Sequence, residues 1–134
     1  MSDQNNSFMV RWFNEVWNKG NESAIDEMFH PEGKAYGLGA EPLIGPEAFK
    51  PFYRTFRDML DNIKISVDKT LTDGDYVAAM CTVKAIHRPT KEHVEFWGVA
   101  IVKIIDGKLI EGWNYFDFLT FNLQIGKITA QQLL

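Results

Sequence analysis

Apolar residues recur three and four apart through Phe8, Met9, Trp12, Phe13, Val16 and Trp17, a spacing that predicts a helix from Ser7 onward. Asn18-Lys19-Gly20 closes it, with Gly20 suited to the left-handed position beyond a helix end. A second short helix follows. Ser23 with Asp26 three residues on resembles a capping box, Ile25, Met28 and Phe29 supply the apolar stripe, and His30-Pro31 ends it. Residues 31–43 hold Gly33, Gly37, Gly39 and Pro42 and read as a loop with room for a short strand over 34–38. Pro46 opens a third helix, where its missing N–H costs nothing, and Phe49, Phe52, Tyr53, Phe56, Met59 and Leu60 mark its buried side. Pro51 removes one hydrogen bond from that helix. It predicts either a kink or a regular part that begins only near Lys50.

After Asn62 the period changes to two. Ile63, Ile65 and Val67 alternate with polar residues, Asp73-Gly74-Asp75 turns the chain, and residues 76–87 run back as a strand. Residues 88–91, with Pro89, form a loop. Two long strands then meet at Asp106-Gly107, a dipeptide suited to a tight hairpin because both central positions need φ > 0. The second of these strands ends in Trp113-Asn114-Tyr115-Phe116-Asp117, a polar and aromatic cluster. A short helical turn is expected from Phe118, and Gly126 divides it from a tail. Three helices followed by a four-stranded antiparallel meander make an α+β layout, with helices on one face of the sheet. The runs VAAMCTVKAI and VAIVKII are apolar on both faces. The face away from the helices therefore also needs a cover, and a second copy of the chain is the simplest one: a homodimer through the sheet is expected.

Composition adds limits to this picture. The 134 residues form one domain, residues 1–134, with 1–6 and 127–134 expected to be mobile. Ten Phe, four Trp and four Tyr exceed what a minimal core needs, so rings either crowd the core or line a cavity. The net charge is −4 and no Lys/Arg cluster stands out, which argues against nucleic acid as a partner. No apolar run approaches the ~20 residues of a membrane span, and no hydrophobic segment follows a basic N-terminus. A cytoplasmic setting is expected. The single cysteine, Cys81, sits in an apolar run and reads as a small buried hydrophobe. The three histidines, at 30, 87 and 93, have no ligand-like spacing, so neither a metal nor another cofactor is expected.

RWFNEVWNKG, AIDEMFHPE, GPEAFKPFYRTFR, FWGVAIVKIIDGKLIEGWNYFDF and LQIG follow one another in the order and spacing of SnoaL-like polyketide cyclases, within the nuclear-transport-factor-2-like superfamily. The resemblance runs from about Met9 to Gly126. It implies a cone of three N-terminal helices packed on a strongly curved, mainly antiparallel sheet that encloses a pocket. In those cyclases an Asp near the end of the last strand is the acid/base of an intramolecular aldol closure, supported by a His on the preceding strand. Aligned on the Asp-Gly-Lys turn, these positions are Asn114 and Ala100 here. An amide does not exchange protons near neutral pH and cannot serve as a general base.

The expected ligand is a small apolar or aromatic molecule, such as an apolar carbonyl compound. Asn114 and Tyr36 are expected to offer it hydrogen bonds, with Trp97, Phe52, Phe56 and Phe13 as rings around it. Asp117 reads either as a base with a raised pKa or as the N-cap of the turn that follows. His87 reads as a base at the cavity rim or as a solvated loop residue. Lys84 points into the pocket as a cation or outward. Glu95 and Glu111 share a proton, or else face solvent or pair with Lys or Arg. Two functions fit: a metal-free isomerase, dehydratase or cyclase, and a ligand-binding or association domain without catalysis.

Overall fold

The computed structural model describes residues 2–133. Helix α1 (Ser2–Arg11) starts five residues earlier than the apolar period indicates, because its first turns are polar. It continues without a break as a π-helix, Trp12–Asn18. The wider winding appears in the Lys19 N–H, which donates to Asn14 O at 2.8 Å, five residues back. It brings Trp12, Phe13, Val16 and Trp17 all to the buried side. In α2 (Ser23–Met28) no side chain caps the N-terminus. The expected capping box is absent. Ala24 and Ile25 N–H donate instead to the carbonyls of Asn21 and Glu22, and the Ser23 hydroxyl donates to Asn21 Oδ1 at 2.6 Å.

Strand β1 (Phe29–Tyr36) follows α2 directly and runs through Pro31, so the first half of the expected loop is strand. Its sequence has little alternation, and its pairing with neighbours defines it. Strand β2 (Leu43–Ile44) and helix α3 (Gly45–Asp58) come next, then β3 (Leu60–Asp73), β4 (Tyr76–His87), β5 (His93–Ile105) and β6 (Lys108–Phe116). Helix α4 (Phe118–Gln124) and a 3₁₀ turn at Ala130–Leu133 complete the described chain. The sheet has six strands in the order β2-β1-β6-β5-β4-β3, two more than the meander expected from the sequence. All pairs are antiparallel except β1 with β6. Gly33 lies where the β1–β6 register shifts, and a Cβ there would press on the Phe29 ring and the Leu109 carbonyl.

Pro51 lies within α3, yet the helix runs on to Asp58. Phe49 and Tyr53 anchor it from either side, and the Tyr53 hydroxyl donates to Val16 O in the π-helix at 2.7 Å. Pro46 sits in the first turn, as its position suggests. The edge strand β3 is docked by Asn18. Its Nδ2 donates to Ile65 O at 2.9 Å and its Oδ1 accepts from Ile65 N–H at 2.7 Å. One side-chain amide thus satisfies two groups of an open sheet edge. Asp106 and Gly107 both have positive φ, 51° and 75°, as their tight turn requires.

Burial alternates strictly along β4 and β5, which assigns the faces. Val77, Ala79, Cys81, Val102 and Ala100 face the helices and join Met9, Trp12, Val16, Phe29 and Phe49 in one core. A second cluster of Leu60, Ile63, Val83, Val94 and Phe96 is plugged by Phe121 of α4. Burial pushes the Cys81 thiol up to about 12, which makes it a poor nucleophile. Gly98 and Phe116 are paired across β5 and β6, and a Cβ at Gly98 would overlap the Phe116 ring. Asp117 caps α4. Its Oδ1 accepts from Thr120 N–H at 2.9 Å and its Oδ2 accepts from the Thr120 hydroxyl at 2.6 Å. Of the two readings of Asp117, the structure takes the cap. The far end of α4 is tied to β5 by Gln124, whose amide both donates to and accepts from the Glu95 backbone.

Gly98→Ala should destabilise the fold by about 1–3 kcal/mol, the usual cost of overpacking, in urea unfolding followed by tryptophan fluorescence. Asp117→Ala should cost about 1 kcal/mol through the lost cap. Its two hydrogen bonds with Thr120 hold the Asp117 carboxyl below the ordinary value of 3.8. The cap's charge-dependent part is therefore present above that value and fades as acid protonates the carboxylate. Asp117→Asn should retain most of the cap and lose this acid dependence. A flat difference between wild type and Asp117→Asn from pH 7 to pH 2.5 would contradict it.

Candidate functional site

The helix-facing side of the sheet encloses a cavity of about 70 Å³. Its floor is β5 and β6, through Ala100, Asn114 and Phe116. The π-helix contributes Trp12, Phe13 and Trp17, α3 contributes Phe49, Phe52 and Phe56, and α4 contributes Phe118. The rings pack edge to face and offset against one another. Trp17 meets Phe52 at 6.3 Å and Phe56 at 6.0 Å, Phe52 stacks on Phe56 at 5.9 Å, and Phe56 meets Phe118 at 5.7 Å. Leu38, Phe52, Phe56 and Phe118 are only half-buried, so the cavity approaches solvent between α3, α4 and the loop after β1.

Pockets for drug-sized ligands hold about 300–1,000 Å³. With the rings as they stand, the cavity admits a molecule of a few heavy atoms, and anything larger must turn Phe52 or Phe56 aside. Asn114 is the one lining residue whose side chain is an amide, and no Asp, Glu, His, Lys, Arg, Cys or Tyr is among the lining residues described. Asn114 Nδ2 donates to the Tyr36 backbone carbonyl at 2.9 Å. Gly37 follows with φ 87°, and a Cβ there would overlap the Asn114 carbonyl, so the end of β1 passes close over β6.

Four of the residues expected at the site meet there: Asn114, Phe13, Phe52 and Phe56. Tyr36 and Trp97 do not. Tyr36 stacks on Trp113 at 5.8 Å, and Trp113 precedes inward-facing Asn114, so both rings lie on the opposite face. Trp97 lies between inward-facing Phe96 and Gly98, and is 70% exposed on the outer face. His87 is buried, not solvated. Its Nδ1 is 2.8 Å from the Thr90 hydroxyl and its ring stands edge-on to Phe121 at 6.0 Å, and it is not a lining residue. Lys84 points outward and lies 3.9 Å from Glu95 across the strands. Glu95 is opposite Lys84 and Glu111 is opposite Lys103. Eight residues of β5 separate the two carboxylates' positions, about 26 Å, so they share no proton.

Sequence reading passed over Trp12, Trp17, Phe49 and Phe116 as site residues. The signal for Phe116 was its parity with Asn114. For the tryptophans it was the 12, 13, 16, 17 pattern, which an ordinary helix spreads over a wider arc than a π-helix does. Among the described residues no three His, Cys, Asp or Glu gather as a metal-binding group. No described helix is long and apolar enough to cross a membrane.

A profile of SnoaL-like polyketide cyclases matches residues 7–125. No curated protein matches the chain. A SnoaL-like polyketide cyclase described as putative, from Jannaschia sp. CCS1, superposes with a TM-score of 0.85 at 19% identity, covering 94% of each chain. One from Bacillus cereus ATCC 10987, also described as putative, gives 0.78 at 27% identity over 87% of this chain and 77% of that one. A Catenulispora acidiphila protein with a ketosteroid isomerase-like fold, solved with trimethylamine, gives 0.78 at 16% identity over 89% and 92%. These likenesses agree with the curled, open, mixed sheet and four helices described above, an arrangement of the nuclear-transport-factor-2-like type. With the profile spanning nearly its whole length, the chain belongs to the SnoaL-like polyketide cyclase family.

Proposed function

We propose that this chain holds a small apolar or aromatic molecule in its ring-lined cavity and performs no acid/base chemistry on it. One observation carries the reading: the described lining consists of rings, aliphatic groups and a single amide. Proton-transfer catalysis needs a titratable group within about 3 Å of the proton it moves. In the resemblance carried by the Asp-Gly-Lys turn, the family's Asp and His fall at Asn114 and Ala100, and neither side chain titrates. Asp117 is engaged with Thr120 at the head of α4, and His87 is engaged with Thr90. The family fold supplies the enclosure, while the chemistry follows from the residues placed in it.

A second copy of the chain covers the outer face of the sheet in this reading. Met80, Trp97 and Tyr115 are 46%, 70% and 64% exposed there, beside Val99, Ile101 and Trp113. Charges of both signs border the patch, Lys84 with Glu95 at one end and Lys103 with Glu111 at the other. Two copies can therefore meet without a net like-charge clash. The lone Cys81 fits a reducing, cytoplasmic setting.

Native mass spectrometry of the freshly purified protein should show a bound small molecule that organic solvent releases. The wild type should give no cyclised product from a polyketide substrate of a family member, whereas turnover by the wild type would overturn the non-catalytic reading and favour a metal-free isomerase, dehydratase or cyclase. In sedimentation velocity the wild type should run as a dimer, and Trp97→Lys should shift it toward monomer with its circular dichroism unchanged. A monomeric wild type at tens of micromolar would remove the dimer.

A further inference from the structure

Resting on the binding reading above, we infer that the cavity selects ligands whose polar group donates a hydrogen bond, such as a small hydroxyl-bearing arene, over carbonyl compounds of the same size. The orientation of one amide sets this preference. Asn114 Nδ2 lies 2.9 Å from the Tyr36 carbonyl oxygen. A backbone carbonyl only accepts, so the atom facing it must be the NH₂ group, and a flipped amide would set two oxygens against each other. The hydrogen-bond partner decides the orientation.

That orientation decides what the cavity sees. β6 lies between β1 and β5 in the sheet. Nδ2 is drawn toward β1, where Tyr36 ends the strand. The two polar atoms of a planar amide diverge by about 120°, so Oδ1 is turned away from β1, toward the β5 side of the floor. The residue paired with Asn114 on β5 is Ala100, whose small side chain leaves the space over the floor open. No described group donates to Oδ1, and Oδ1 is not among the buried polar atoms lacking a partner. It is therefore an accessible acceptor among rings. The second N–H of the amide stays on the nitrogen already held at β1. A hydroxyl or N–H entering the cavity completes Oδ1, whereas a ketone or aldehyde oxygen brought to the same place meets a second acceptor. The penalty for an unmatched polar group is large in such an apolar enclosure.

The ring walls set the rest of the ligand. Flat faces at Trp17, Phe52 and Phe56 suit a planar apolar body, and the volume of about 70 Å³ calls for a small one, with Phe52 or Phe56 turning to admit it. An engineered apolar cavity of about 150 Å³ takes up benzene, which sets the scale of that movement.

Phenol, toluene and benzaldehyde, each a single ring with one small substituent, separate the outcomes in an NMR titration. The wild type should bind phenol about tenfold more tightly than either of the others, the ratio for one net hydrogen bond. Asn114→Leu should bind toluene more tightly than phenol. In wild-type protein labelled at asparagine, phenol should move the Asn114 side-chain ¹³C carbonyl resonance and leave its amide protons nearly in place. This readout needs no variant to fold. Benzaldehyde binding as tightly as phenol, or an amide-proton shift in place of the carbonyl shift, would overturn the inference. Toluene binding with phenol no tighter sinks the donor preference alone and leaves the binding reading intact. Failure of all three to bind removes both.

Discussion

Ile110 is one residue too many for the ladder between β5 and β6. Next to the Asp106-Gly107 turn, Ile105 pairs with Lys108 and Ile104 with Leu109. Beyond it Lys103 pairs with Glu111, so Ile110 has no opposite number. A bulge of this kind switches which residues of a strand face inward. Leu109 faces the core on one side of it, and Gly112, Asn114 and Phe116 on the other. Without the bulge, Trp113 and Tyr115 would turn into the cavity and Asn114 would lie on the outer face. The pairings of Ala100 with Asn114 and Gly98 with Phe116 depend on that one insertion. So do the amide on the cavity floor and the aromatic patch on the other face.

The rest of the enclosure is built around those pairs. Phe116 can lie flat over the sheet because Gly98 has no side chain to lift it. Phe13 then packs on Phe116 at 6.3 Å, which fixes how close the π-helix comes to the floor. The π-helix winding points four large apolar residues at the sheet, and the Asn18 amide and the Tyr53 hydroxyl hold the helix in place at its end. Rings packed edge to face and offset line the cavity together with aliphatic side chains such as Ile65 and Val102. The same aromatic surplus makes the core and lines the site, which explains why the cavity is small.

An amide at position 114 also suits this environment. A carboxylate among rings pays a desolvation cost and is pushed toward its neutral form, which an acid/base catalyst exploits. An amide carries no such charge and needs only its hydrogen bonds. One of those bonds, to the end of β1, is internal and serves the fold. No described group donates to the other pole of the amide. Membership of a family of cyclases describes the enclosure well and describes the chemistry inside it much less.

The sequence by itself determined the elements whose signals are local. The helix stripes, Pro46 at the head of α3 and the Asp106-Gly107 hairpin each follow from a few neighbouring residues. It also determined which side chains the floor of the cavity can offer, an alanine at 100 and an asparagine at 114. Tertiary structure decided everything that depends on pairing between distant segments. Strand β1 exists because β6 lies beside it, although its own residues barely alternate. His87 is buried because Phe121 and Thr90 close around it, though it sits at a loop. Tyr36 and Trp97 lie outside because strand parity puts them there. Parity is a property of the whole ladder, and a single unpaired residue such as Ile110 resets it without leaving a mark that can be read in the chain alone.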